Sequence, residues 1–287
     1  MFAARRGDVA AGRLLLAHGA DVNEVAADGS RALHVATLRS NVAFAKLLLD
    51  ASADPNADNP GYTALHWAAG RWDTLVSQEY AVESGEWSVI GGLPTLNNRV
   101  ELITALLRHG ADPNARLKKA PPRFGAGPGG AGPAPVGATP FHLAAYNADV
   151  DVMRLLLANG ADPSLKDNTG VTALIASVGT KALDVSSRLR NDHAPERRHL
   201  EAVRLCMALG GDINAATARG ETALHVAAAI SFGPMIQFLV ENGAIVNAKD
   251  KRGDTPLGVA YRDEGAVQRP LHENTLELLR KLGGVRN

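Results

Sequence analysis

The chain has 287 residues, 46% of them hydrophobic and 5% aromatic, which is enough apolar content for a buried core and enough length for one or two domains. Thirty Lys and Arg balance thirty Asp and Glu, so no net charge draws the chain to nucleic acid or to an anionic membrane. The single cysteine, Cys206, excludes an intrachain disulfide, and no apolar run approaches the roughly 18–20 residues of a membrane span. The N-terminal stretch MFAARRGDVAAGRLLL has neither the apolar core nor the cleavage site of a signal peptide.

Two short motifs alternate along the chain. The first reads RALHVAT from Arg31, TALHWAA from Thr63, TPFHLAA from Thr139, TALIASV from Thr172, TALHVAA from Thr222 and TPLGVAY from Thr255. The second reads LLLAHGADVN (14–23), LLLDASADPN (47–56), LLRHGADPN (106–114), LLLANGADPS (155–164), CMALGGDIN (206–214), LVENGAIVN (239–247) and LLRKLGGVRN (278–287). In uninterrupted copies 25 positions run from the start of the first motif to the end of the second, and 7 or 8 lead to the next unit, a period of about 33 residues.

Each unit predicts two helices. The first is short, Ala-rich and opens on Thr, whose hydroxyl can accept a backbone N–H at a helix start. The second carries paired leucines at helical spacing and ends at Gly19, Gly110, Gly160 or Gly243, the residue favoured at a left-handed helix end. Turn-forming runs such as KDNTG (166–170) and KDKRG (249–253) join the units. Alanines let helices approach closely and leucines supply an apolar stripe. One pair cannot bury its own face, so neighbours must stack. The expected fold is all-α, a solenoid of helix–turn–helix units with protruding turns.

The T-P-L-H-x-A and G-A-D-x-N patterns at this period resemble the ankyrin repeat family. Seven repeats are expected within a single domain over 1–287, at approximately 1–29, 30–61, 62–137, 138–170, 171–220, 221–253 and 254–287. Insertions fall at approximately 70–98, 115–136, 179–195 and 262–270. The resemblance makes His34, His66, His142 and His225 structural, each tying a turn to the adjacent repeat. They recur about one repeat apart, too far to share a metal. Ile175 and Gly258 stand where repeats five and seven lack that histidine, so those two junctions are expected to be looser. Ser52 stands in place of a helix-ending glycine.

The insertions carry the unusual residues. In the first, the second helix of repeat three is expected to restart at Asn98, with Glu101 completing a capping box. Tyr62, Trp72 and Trp87 with neighbouring carboxylates fit interface anchors, or else a small core that docks the insertion. Trp67 takes an otherwise aliphatic slot and should be packed. The second insertion opens on Arg116, Lys118, Lys119 and Arg123. Its GAGPGG (125–130) satisfies G-x-G-x-x-G, but no strand precedes it and no helix follows, so it reads as a Pro/Gly-rich loop. The third holds Arg188, Arg190, Arg197 and Arg198, with Pro195 suited to an early helix start. His193 and His199 read as solvated insertion residues. The basic stretches read the same way, the alternative being contact with an acidic partner or RNA. Cys206 occupies a leucine slot and should be buried and inert.

Carried over by position from the family, the turn contacts are Asn59, Tyr62, Asn168 and Val171, then Arg219 and Glu221, then Lys251, Arg252 and Asp254. Arg71, Tyr146 and Asn147 match contact positions on the inner helices. With no H-E-x-x-H, P-loop, G-x-S-x-G or EF-hand pattern present, the expectation is a non-enzymatic, monomeric interaction scaffold that binds a protein partner. It uses no metal and no cofactor, binds neither nucleic acid nor membrane, and resides in the cytoplasm. Two other classes stand beside it: a structural spacer in a longer protein, and an enzyme whose site is built from the insertions. Met1 falls near the motif's histidine position, so chain upstream of it, and a targeting signal there, are left open.

Overall fold

A computed structural model describes residues 1–70, 96–119, 136–179, 194–262 and 269–286. Arg71, Trp72, Trp87, Arg123, GAGPGG, Arg188, Arg190 and His193 lie outside the described residues. Within them every regular element is helical, apart from two isolated antiparallel bridges, Lys166 with Thr172 and Ala216 with Thr222.

The helices fall into pairs that follow the two motifs. They are α1 (Phe2–Arg6) with α2 (Val9–Ala17), α3 (Ala32–Leu38) with α4 (Val42–Asp50), and α5 (Ala64–Ala69) with α6 (Leu96–Arg108). Next come α7 (Pro140–Tyr146) with α8 (Val150–Ala158), and α9 (Ala173–Ser177) with α10 (Ala194–Ala208). The last are α11 (Ala223–Ala229) with α12 (Gly233–Glu241), and α13 (Pro256–Arg262) with α14 (Arg269–Lys281). The chain divides into two compact units, Met1–Leu143 with Arg154–Asp162, and Ala144–Met153 with Pro163–Asn287. In the first unit α1 packs on α3 and α3 on α5, while α2 packs on α4 and α4 on α6. In the second, α11 packs on α13 and α12 on α14. First helices meet first helices and second meet second, as stacked pairs require.

Local chemistry sets the helix ends. The hydroxyls of Thr63 and Thr172 accept the amides of His66 (3.3 Å) and Ile175 (3.2 Å). Gly19, Gly110, Gly160, Gly210, Gly243 and Gly283 close the second helices with φ between 85° and 94°. Ser52 adopts φ 68° in the equivalent place, at a cost of about 1 kcal/mol for its Cβ. Four residues before these positions stand Leu48, Leu106, Leu156, Cys206, Leu239 and Leu279, all buried, and, in repeat one, the exposed Leu15.

Asparagines at the end of the second motif lace each repeat to the next. Asn56 donates to the Gly110 carbonyl (2.8 Å) and accepts the Asp112 amide (2.7 Å). Asn114 does the same with Gly160 and Asp162, Asn214 with Gly243 and Ile245, and Asn247 with Gly283 and Val285. Asn23 reaches the Ser52 carbonyl and the Asp54 amide. Each primary amide thus satisfies one acceptor and one donor left over at a turn. Repeat four has Ser164 in this slot.

Two expectations about the insertions are corrected. Helix α6 begins at Leu96, so Asn98 lies inside it instead of capping it. His199 is not solvated: it is buried, and its Nδ1–H donates to the Ser177 carbonyl at 2.8 Å. The reason is common to both repeats. Where an insertion separates the two helices of a pair, the second helix runs 13, 15 and 13 residues (α6, α10, α14), against nine for α2, α4, α8 and α12. The added N-terminal turns bring Arg99, His199 and His272, each eleven residues before the helix-ending glycine, to buried positions. Arg99 donates to the Ala68 and Ala69 carbonyls, both at 2.7 Å, and so closes the end of α5. Pro195 lies in the first turn of α10, as read from the sequence.

Candidate functional site

The turns that carry the expected contacts are braced from beneath by histidine. The Thr63 backbone N–H donates to His66 Nδ1 (3.2 Å), and the Thr63 hydroxyl lies 2.8 Å from the same nitrogen. His66 Nε2 faces the carbonyls of Ala115 (3.0 Å) and Ala138 (3.3 Å). Carbonyls only accept, so Nε2 carries the proton and the ring is the neutral tautomer. Burial favours that form and lowers the His66 pKa to about 4. His34 reaches the Ala57 and Tyr62 carbonyls and His225 the Asp254 carbonyl (3.1 Å), and burial lowers both pKa values. His142 keeps the Thr139 contact at 2.9 Å.

Repeat seven, with Gly258, uses a substitute: the Thr255 hydroxyl donates straight to the Val285 carbonyl at 2.6 Å. Repeat five has buried Ile175, and α9 spans only five residues. Consequently α9 meets α11 over a smaller surface than α11 meets α13.

The tips themselves are ordered by short polar side chains. Asp167 Oδ1 accepts the amides of Thr169 (2.8 Å) and Val171 (2.9 Å). Asp250 Oδ1 does so for Arg252 and Asp254, and the Thr217 hydroxyl for Arg219 and Glu221. Neighbouring tips are linked: the Ala218 N–H donates to the Thr169 carbonyl (2.7 Å) and the Lys251 N–H to the Arg219 carbonyl (2.9 Å).

Between these tips and the first helices of the second unit lies a groove of about 820 Å³. Its floor includes Tyr146, Ile175, Val226, Ala229, Ile230 and Val259, and its rim Asn168, Val171, Arg219, Glu221, Arg252 and Arg262. The groove runs alongside the contact between α9 and α11. Six expected contacts therefore converge: Tyr146, Asn168, Val171, Arg219, Glu221 and Arg252. Lys251 and Asp254 share the outer tip without lining the groove, and Asn147 follows α7. Asn59 is exposed on a turn of the first unit. Burial raises the pKa of the Tyr146 hydroxyl, with Asp167 adding to the effect.

Tyr62 requires correction. It is buried, its ring edge-on to His34 (5.8 Å between centroids) and packed with Leu117, Ala138, Leu143 and Trp67. Leu117 belongs to the start of the second insertion. That stretch is pinned by the Leu117 N–H to the Ala138 carbonyl and by the Lys118 and Lys119 amides to the Gly61 carbonyl, all at 2.9 Å. The Lys118 ammonium pairs with Asp58 (2.6 Å), and Arg116 donates to the Gly137 carbonyl (2.9 Å). Within the described residues, these aromatics pack a core.

Cys206 is buried, which pushes its thiol to about 11 and keeps it from being a nucleophile near neutral pH. Among the described residues no group of three His, Cys, Asp or Glu is placed to hold a metal ion, and no helix is long and apolar enough to cross a membrane.

Stacked helix pairs, histidine-braced turns and a groove behind them define an all-α repeat solenoid of the ankyrin type. Residues 1–85 and 193–284 match the family model described as ankyrin repeats (3 copies), and residues 136–168 match that for the ankyrin repeat. The chain belongs to the ankyrin repeat family. It is 30% identical to the ankyrin repeat protein FPV230 of Fowlpox virus (strain NVSL) over 41% of this chain and 71% of that protein. It is 30% identical to the B-cell lymphoma 3 protein homolog of Mus musculus over 43% of this chain and 32% of that protein. To neurogenic locus notch homolog protein 1 of Homo sapiens it is 32% identical, over 43% of this chain and 6% of that protein. The matched regions thus span a third or less of the mouse and human relatives.

Two solved structures share the fold. The ankyrin repeat domain of human ASB11 matches with TM-score 0.64 at 20% identity, covering 99% of this chain and 97% of that one. The ankyrin repeat domain of Bcl-3 matches with TM-score 0.59 at 21% identity, covering 97% and 96%. Ankyrin repeats are generally protein–protein interaction modules, and typically non-enzymatic.

Proposed function

We propose that this chain is a non-enzymatic interaction module that binds a protein partner in the groove of its second unit. The observation that carries this reading is the convergence of Tyr146, Asn168, Val171, Arg219, Glu221 and Arg252 on one cavity of about 820 Å³. An apolar floor with a polar, ordered rim is the layout of a recognition site, the floor supplying desolvation and the rim supplying register. Tips held by Asp167, Thr217 and Asp250 lose little conformational entropy on binding.

Site-specific photo-crosslinking tests the reading. A benzophenone side chain at Ala229, on the floor, should capture a discrete protein from the source extract. The same group at Glu241, exposed on α12, should not. Equal capture from both positions, or none from Ala229, would remove the groove as the partner site.

A further inference from the structure

The ion pairs along the groove rim are layered, with cations outermost. The Arg219 side chain is 78% exposed and that of Arg252 58%, whereas Glu221, which pairs with both, is 18% exposed. Asp250, the other carboxylate beside Arg252, is 1% exposed. Arg262, 40% exposed, pairs with Asp254 at 31%. The acids sit beneath and are already occupied. Glu221 accepts from Arg219 Nε and Nη2, both at 3.0 Å, and one Asp250 oxygen is taken up by backbone amides. Arg252 contacts these carboxylates through Nε and Nη2 at 3.4–4.0 Å. No acceptor among the described residues engages the remaining nitrogen of Arg219 or of Arg252. Lys251, exposed between them on the same tip, adds a further cation.

A ligand approaching the groove therefore meets guanidinium donors first and aliphatic floor second, although the chain as a whole carries no net charge. Guanidinium forks match carboxylates in a bidentate geometry, and such pairs strengthen once water is excluded. The floor is aliphatic apart from Tyr146 and the buried His225, so it offers hydrophobic seating and lacks the row of exposed rings on which successive bases stack.

We infer that the groove takes an acidic segment of a protein partner. One aliphatic or aromatic side chain of that segment sits on Val226, Ala229 and Ile230, and its flanking carboxylates reach Arg219 and Arg252. This rests on the interaction-module reading and adds the chemistry of the ligand.

A random twelve-residue peptide display library tests it, selected on the intact chain and counter-selected on Ala229→Trp, which fills the floor. Groove-dependent winners should carry several Asp or Glu around one large apolar residue. Their affinity should fall tenfold or more from about 50 to about 500 mM NaCl, and tenfold or more in the Arg219→Gln/Arg252→Gln variant at unchanged thermal stability. Groove-dependent winners that are neutral or basic, or insensitive to salt and to the double variant, would overturn the acidic assignment while leaving the module reading intact. The absence of groove-dependent winners would overturn both. Displacement of the winning peptides by a single-stranded RNA oligonucleotide that binds more tightly would make the cationic rim a nucleic-acid surface and would also overturn the assignment.

Discussion

Repeats five and six lie side by side in the second unit and are built from the same two motifs, yet they are held in different ways. In repeat six a seven-residue α11 is braced by His225, whose ring links Thr222 to the Asp254 carbonyl of the next turn. In repeat five α9 has five residues, Ile175 replaces the imidazole, and the brace comes from the opposite side through His199 on the extended α10. The histidine brace reaches forward to the neighbouring repeat, whereas the His199 brace closes the repeat on itself. Repeat five thus keeps only a lock within the repeat, whereas repeat three, also interrupted, has both the Arg99 lock and the forward brace of His66 to the Ala138 carbonyl. The groove lies beside this junction, and Ile175 forms part of its floor.

The largest expected effect tests the self-contained lock. Arg99→Met removes the guanidinium from the Ala68 and Ala69 carbonyls and leaves two buried acceptors, so stability should fall by about 3 kcal/mol in denaturant titration. In uninterrupted repeat one the same register holds Asp8, which caps α2 by accepting the Ala11 amide, and Asp8→Ala should cost only about 1 kcal/mol. Equal losses would erase the distinction between interrupted and uninterrupted repeats.

Acid tests the forward brace. The folded pKa of His66 is about 4, below the ordinary 6.5, so its contribution is complete above pH 6.5 and is lost as pH falls toward 4. The loss should be on the order of 3 kcal/mol by pH 4, and His66→Leu should flatten the unfolding free energy between pH 6.5 and 4. Ile175 cannot titrate, so repeat five offers no matching slope at that slot. An acid profile unchanged by His66→Leu would contradict the tautomer assigned here. A smaller effect tests the asparagine ladder at the junction of repeats four and five. Ser164→Asn, which places the laddering amide ahead of Gly210 and Asp212, should raise stability by about 1 kcal/mol. A loss would mean that the serine slot is not equivalent to the others.

Much of this was legible in the sequence because the two motifs carry their own helix starts and stops. Thr63, Thr172 and the terminal glycines act where the pattern placed them. Arg99 and His199 were not legible as locks, because the insertions move the start of each second helix while its end stays fixed. Counting eleven residues back from Gly110 and Gly210 finds both. The laddering asparagines were visible as letters, but their partners are backbone groups 29 to 56 residues away, which a local motif does not reveal. Tyr62 failed as a turn contact because Leu117, from the start of the second insertion, packs with Ala138 and Leu143 against it. The cation-out layering of the rim depends on which member of each ion pair is exposed. Composition, with its equal counts of acids and bases, carries no trace of that.

Native-state hydrogen exchange across the second unit tests most directly the weak forward coupling of repeat five beside the groove. Amides of α9 (Ala173–Ser177) should exchange with clearly lower protection than those of α11 (Ala223–Ala229) in the free chain, because α9 lacks the histidine brace and packs on α11 over a smaller surface. Protection of α9 equal to or above that of α11 would contradict the link between the missing brace, the sparse packing and the weak coupling.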